Sequence, residues 1–136
     1  MILVDTGPLV ALFDPRDADH AECRDALASV HERLVTTSPV LTEAFYFLEG
    51  TRGAGGLREF VKDSGVSLWP LDDERLRRCI DLMEQYEDRP MGLADASLVA
   101  AAEVLRTTTA WTLDRAHFGA YRPRIGRQLS RFKVLP

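Results

Sequence analysis

The chain has 136 residues, 46% hydrophobic and 28% charged, with a formal net charge of −4. That size and apolar content suit one domain over residues 1–136, and the acidic balance speaks against a strongly basic nucleic-acid binder. Cys23 and Cys79 lack CxxC or histidine spacing, which argues against a disulfide framework or a zinc site, and no uncharged run has the length of a membrane span.

The apolar start lacks a basic n-region and a small-residue cleavage site, so a cytoplasmic protein with no membrane segment is expected. Charge is unevenly spread. Residues 1–114 hold 11 Lys+Arg and all 21 acids, a balance of −10. Residues 115–136 hold six basic residues and no acid, a balance of +6. Such a tail, with Arg122, Arg124 and Arg127, either holds a polyanion beside an acidic pocket or is simply solvated.

In chain order, residues 2–5 read as a short buried strand, and Gly7-Pro8 turns the chain into a helix with Pro8 at its first position. Asp19 to Glu32 reads as an amphipathic helix, Arg33 to Thr37 as a strand, and Ser38-Pro39 as the start of a helix running to about Leu48. Glu49 to Gly56 is Gly-rich and reads as a flexible loop without the Lys-Ser/Thr of a phosphate-binding loop. Then follow a helix over Leu57 to Asp63, a strand over Val66 to Pro70, and a long amphipathic helix from Asp72 to Glu87. An alanine-rich helix over Leu93 to Leu105, a strand over Thr109 to Leu113 and an edge strand over Arg131 to Leu135 close the chain. This alternation predicts an α/β fold: a central, mostly parallel sheet of about four to five strands flanked by helices, with ligands gathering beyond the strands' carboxyl ends.

Four carboxylates stand out because their neighbours are apolar. Asp5 and Asp114 each end a predicted strand, while Glu43 and Asp95 interrupt helical patterns. An ionised carboxylate in such surroundings is costly unless paired or bound to a metal. A hard divalent ion, Mg²⁺ or Mn²⁺, is a shared explanation, because it takes oxygen ligands and activates water for phosphodiester hydrolysis. Each acid also has a structural alternative: Asp5 as a helix cap, Asp95 at a positive helix end, Asp114 opening a turn, Glu43 facing water. Thr6 and Thr112, beside the strand-end acids, either position a ligand carboxylate or metal-held water or bond local backbone. Ser97 faces the same cleft or permits close helix packing, and Arg115 is a candidate substrate-positioning residue. His20, His31 and His117 show no base–nucleophile spacing and read as surface residues, Trp69 and Trp111 read as core aromatics, and Glu103 reads as a silent acid near the end of Asp95's helix.

With those residues in view, the chain resembles the PIN-domain ribonucleases, specifically the VapC-type toxins of toxin–antitoxin pairs. Ile2-Leu-Val-Asp5-Thr-Gly-Pro resembles the family's first motif, Ser38-Pro-Val-Leu-Thr-Glu43 its glutamate helix, Ala94-Asp95-Ala-Ser its helical acid motif, and Trp111-Thr-Leu-Asp114-Arg-Ala-His-Phe118 its T-x-D-x-x-F close. The resemblance implies a PIN-like fold and a Mg²⁺- or Mn²⁺-dependent endoribonuclease with Asp5, Glu43, Asp95 and Asp114 as metal-binding acids, Asp5 and Asp95 foremost as direct ligands. It further implies an RNA substrate, a homodimer, and an antitoxin whose C-terminal segment lies across the groove. Many relatives carry a further acid near Gly92, and some have one where His117 stands; this chain has neither, which favours single-metal catalysis.

Three other readings are open to the same residues. Val4-Asp5-Thr6-Gly7 resembles the triplet of retroviral-type aspartic proteases, but that fold has no room for the predicted helices. An aspartyl phosphotransferase or phospho-receiver lacks its second acid, because position 7 is Gly, and its strand-end Lys. A PIN-like domain that binds RNA or protein without cleaving is the remaining alternative; loss of one acid would favour it, and all four are present.

Overall fold

A computed structural model describes residues 1–136. The elements are β1 Ile2–Val4, α1 Thr6–Phe13, α2 His20–Ser29, β2 Leu34–Thr36, α3 Ser38–Leu48, α4 Arg52–Lys62, β3 Ser67–Leu68 and α5 Asp73–Gln85. They continue with α6 Leu93–Leu105, β4 Thr109–Trp111, α7 Arg115–Ala120, β5 Arg124–Ile125, β6 Gln128–Leu129 and β7 Lys133–Leu135. Five strands form one sheet in the order β3-β2-β1-β4-β7, every pair parallel, with Leu3 opposite both Val35 and Ala110. All three residues of β1 are buried, and so are all three of β2, which is why these strands read as unbroken apolar or threonine runs rather than alternating ones.

Helix α6 spans the residues its pattern predicts. From Ala94 to Ala102 all but Asp95 are buried, and the small alanines let α3 and α5 approach closely. It ends at Arg106 in the left-handed conformation (φ 55°, ψ 43°). α1 begins at Thr6, two residues before the expected start at Pro8, because Asp5 caps it: Oδ1 accepts from the Thr6 N–H at 2.7 Å.

One expectation fails, and two elements have no counterpart in the sequence reading. The Gly-rich stretch before Leu57 is not a loop from end to end, since α4 begins at Arg52 and includes Gly53, Gly55 and Gly56. Tertiary packing overrides the poor helix propensity of glycine here: a Cβ on Gly53 would collide with the Phe13 carbonyl, and one on Gly56 would stand 2.8 Å from the Phe13 ring. α7, following Asp114, and the antiparallel β5–β6 hairpin were not predicted, because six-residue and two-residue elements carry no readable period.

Glu103 has a structural role that its sequence does not announce. Its side chain is 12% exposed and accepts from Arg78 twice, at 2.8 and 2.9 Å, and from the Arg124 backbone N–H at 2.7 Å. It therefore ties α5 and the hairpin segment to α6. Glu103→Gln leaves one acceptor for three donors. The expected result is a loss of about 1–3 kcal/mol in urea unfolding, with RNA cleavage retained once the variant is folded.

Candidate active site

The chain leaves β1 toward β2 and β3 on one side of the sheet, and leaves β4 toward β7 on the other. Where strand order reverses in this way, a crevice opens at the strands' carboxyl ends. Asp5 follows β1 directly, and Thr112 and Asp114 follow β4. α3 and the first turn of α6 bring Glu43 and Asp95 to the same place.

The result is an open cleft of about 450 Å³ lined by five carboxylates: Asp5, Glu43, Asp95, Asp114 and Asp17. No lysine, arginine or histidine lines it. Asp17 was not anticipated; it sits in the polar link between α1 and α2, where nothing in the sequence separates it from Asp14 or Asp19.

Hydroxyl groups hold the acids. The Asp114 N–H donates to Thr112 Oγ1 at 3.0 Å, and the Thr112 hydroxyl in turn donates to Asp5 Oδ2 at 2.7 Å. Thr6 Oγ1 donates to Glu43 Oε1 at 2.8 Å, and the Tyr121 hydroxyl donates to Asp95 Oδ2 at 2.7 Å. Glu43 and Asp95 each spend one oxygen in these bonds and keep the other for a ligand. Thr6 and Thr112 thus act on carboxylates.

Tyr121 was missed in the sequence. It is fully buried, edge-on against Tyr86 and Phe118, and lies just beyond α7 with no flanking motif to mark it.

Burial dominates the electrostatics. Asp5 is 8% exposed, and its pKa is pushed up to about 6 by loss of water, partly opposed by the bonds from Thr112 and Thr6 and reinforced by Asp95 and Glu43. Asp95 is raised too, first by burial, against the bond from Tyr121, with the Asp114 charge adding. The Tyr121 hydroxyl is raised by burial and then by its bond to Asp95, so it stays a donor.

No three of these acids close on one point to make a cage. The donor set is nonetheless all oxygen and anionic, in an open cleft without cations, which fits a hard divalent ion that keeps several waters and leaves a soft metal without thiolate or imidazole. Asp5, Glu43 and Asp95 would hold such an ion.

Asp114 is differently placed. Its side chain is 45% exposed, at the rim, where Asp5 is buried; as in Asp5 both oxygens are bonded, here within α7, Oδ1 with the His117 N–H at 3.2 Å and Oδ2 with His117 Nδ1 at 2.7 Å. His117 is therefore the imidazole partner of a cleft acid rather than an unengaged surface histidine. Two other candidates stand outside the cleft. Ser97 is fully buried, bonded to the Ala94 carbonyl and to Thr37 Oγ1, both at 2.6 Å, and ties α6 to the start of α3. Arg115 donates to the Pro136 carbonyl at 3.0 Å and stands 4.0 Å from Glu22. The basic tail does not wall the cleft either. Arg124 is bonded through its backbone to Glu103, which lies about 12 Å along α6 from Asp95. The Arg122 guanidinium turns back onto the Gly119 and Tyr121 carbonyls.

A larger hollow of about 580 Å³ lies between the end of α1 and the start of α4. It gathers no comparable set: Arg16 pairs with Asp14 at 3.1 Å, and Asp14 is the one acid there.

Thr112→Val removes the hydroxyl between Asp114 and Asp5 while keeping the shape. It should raise the Asp5 pKa further and cost about 1–3 kcal/mol of stability, with metal affinity falling about 10- to 100-fold in calorimetry.

Comparison with known proteins identifies the family and the fold. The family profile described as PIN domain matches residues 2–122. Ribonuclease VapC26 of Mycobacterium tuberculosis (strain ATCC 25618 / H37Rv) is 31% identical over 138 residues, covering 99% of this chain and 100% of that protein. Among solved structures, Mycobacterium tuberculosis VapC20, described as a sarcin-ricin loop cleaving toxin, superposes with a TM-score of 0.81 at 20% identity, over 96% of this chain and 100% of that one. A toxin–antitoxin complex from Klebsiella pneumoniae superposes with a TM-score of 0.67 at 20% identity, over 88% and 92%. With a family match across most of its length and a full-length relative of that kind, the chain belongs to the PIN-domain family, among its VapC ribonucleases.

Proposed function

We propose that this protein is a Mg²⁺- or Mn²⁺-dependent endoribonuclease, a single catalytic domain over residues 1–136, acting in the cytoplasm as the toxin of a toxin–antitoxin pair. The observation that carries the reading is a cation-free cleft lined by five carboxylates, in which Asp5 is both buried and held between two donors. Asp5, Glu43 and Asp95 are the residues that would hold the ion, and Asp114 would act from the rim. When bound, the ion acidifies water and offsets the charge that builds on the attacked phosphate.

The protein's own groups supply the geometry. Thr112, Thr6 and Tyr121 fix the carboxylates before substrate arrives, so no reorganisation is needed as charge develops. Whichever of Glu43 and Asp95 kept its free oxygen off the ion would be the group to accept a proton from attacking water. Attack by water needs neither a histidine pair nor the substrate's 2′-hydroxyl, and no histidine lines the cleft. The partners that go with this reading are RNA, an antitoxin protein and a second copy of the chain; the helices offer no membrane span.

Mapping product ends tests the reaction. Cuts made in Mg²⁺ or Mn²⁺ should carry 5′-phosphate and 3′-hydroxyl ends. Ends bearing 2′,3′-cyclic phosphate, or cleavage that persists in EDTA, would overturn the proposal.

A further inference from the structure

The acids of the cleft leave a question of affinity. RNA brings a negative phosphate to every nucleotide, yet the cleft presents five carboxylates and no basic side chain. One or two divalent ions offset only part of that repulsion, so uncharged groups must supply the rest of the grip near the cut.

One aromatic side chain lines the cleft, Phe47. It lies four residues after Glu43 on α3, on the same face and about 6 Å further along the axis. Its exposure is 62%, and that of Tyr46 is 71%, whereas Val40, Ala44 and Leu48 already form the buried face of the helix. Folding therefore does not account for two neighbouring aromatics left in water. Their rings meet edge to face, centroids 5.6 Å apart at 73°, so Tyr46 limits the directions Phe47 can take.

We propose that Phe47, braced by Tyr46, is a nucleobase-stacking subsite that grips the RNA base beside the scissile phosphate. Every base has a π-face, so such a platform adds affinity without phosphate contacts and without reading sequence strongly. The inference rests on the ribonuclease reading above. The need for an uncharged grip beside five carboxylates argues for a base of the substrate as the occupant; a partner protein's side chain is the outcome that rescue by Phe47→Leu would reveal.

The test uses full-length protein, a pool of short structured and single-stranded RNAs, and abasic analogues of whichever member wild type cuts. Stacking on one ring corresponds to about a 5- to 150-fold effect on binding. Phe47→Ala should accordingly raise KM by about 10- to 50-fold, with kcat within about threefold and Mg²⁺ binding unchanged in calorimetry. Phe47→Trp should restore KM, whereas Phe47→Leu should not. An abasic nucleotide next to the cut should cost wild type a similar factor and cost Phe47→Ala nothing more. An unchanged KM in Phe47→Ala overturns the subsite, as does an equal abasic penalty in both proteins. So does full rescue by Phe47→Leu, the mark of a merely apolar docking surface for a protein partner. Wild-type protein that cuts no RNA overturns the ribonuclease reading itself, and the subsite with it.

Discussion

Asp95→Asn is expected to slow RNA cleavage by about 10²- to 10⁴-fold, and Asp5→Asn by a similar factor, with residual activity abolished by EDTA. The substitution removes charge with almost no change in volume, so the loss reports on electrostatics rather than packing. Asn at position 95 still accepts from the Tyr121 hydroxyl, whose bond to Asp95 Oδ2 is 2.7 Å, and α6 keeps its buried alanine face. What disappears is the negative charge that would hold a divalent ion and take a proton. Single-turnover assays on RNA, beside circular dichroism to verify folding, make the measurement. Glu103→Gln, eight residues on in the same helix, is the control whose cleavage should survive although its stability falls. Equal losses at the two positions would mean that the cleft and the far end of α6 cannot be separated functionally.

The second large effect concerns the metal-free fold. Asp5 has a folded pKa of about 6 against an ordinary value of 3.8, and burial is the chief cause. A carboxyl whose pKa is raised by folding binds its proton more tightly in the native state. Its contribution to stability is complete below about pH 4 and is lost as pH rises through 6, amounting to about 3 kcal/mol between those limits. Asp95, shifted in the same direction, adds to the trend.

In EDTA, wild type should therefore lose stability between pH 4 and pH 7 relative to Asp5→Asn, which lacks the ionisation. Bond rearrangement at Thr112 takes back part of the gain at pH 7, so the variant should be about 1–3 kcal/mol more stable than wild type there. Saturating Mg²⁺ or Mn²⁺ should reverse the order. At a hundredfold excess over Kd an ion that binds only the folded state adds about 2.7 kcal/mol, a rise of roughly 8–10 °C in Tm for a chain of this size. Parallel melts of the two proteins with and without the ion decide it. An ion that raises the Tm of Asp5→Asn as much as that of wild type would show that Asp5 is not part of the site.

Much of the scaffold was legible without coordinates. The apolar run Ile2–Val4 and the apolar-to-threonine run Leu34–Thr36 signal buried parallel strands, and the alanine-rich pattern from Leu93 to Leu105 marks α6 with both ends in place. These features are local: strand burial, helical period and caps are written in neighbouring residues. The four acids were visible for a related reason, since each stands among apolar neighbours where an unpaired charge is costly.

What only the tertiary structure decided is how those acids are held and what else joins them. Tyr121 reaches Asp95 across 26 residues and Thr112 reaches Asp5 across 107, and no local pattern announces either bond. Asp17 enters the cleft because the link between α1 and α2 folds back, and Gly53 and Gly56 become helical because Phe13 packs against them. Charge alone left the basic tail either beside the acids or solvated; contacts with the far end of α6 and the chain terminus hold Arg124 and Arg115 away from the cleft. Residue type and spacing determine which chemistry the chain has available. Contacts between distant segments determine which side chains meet, because the free energy of long-range packing exceeds any preference carried by a few adjacent residues.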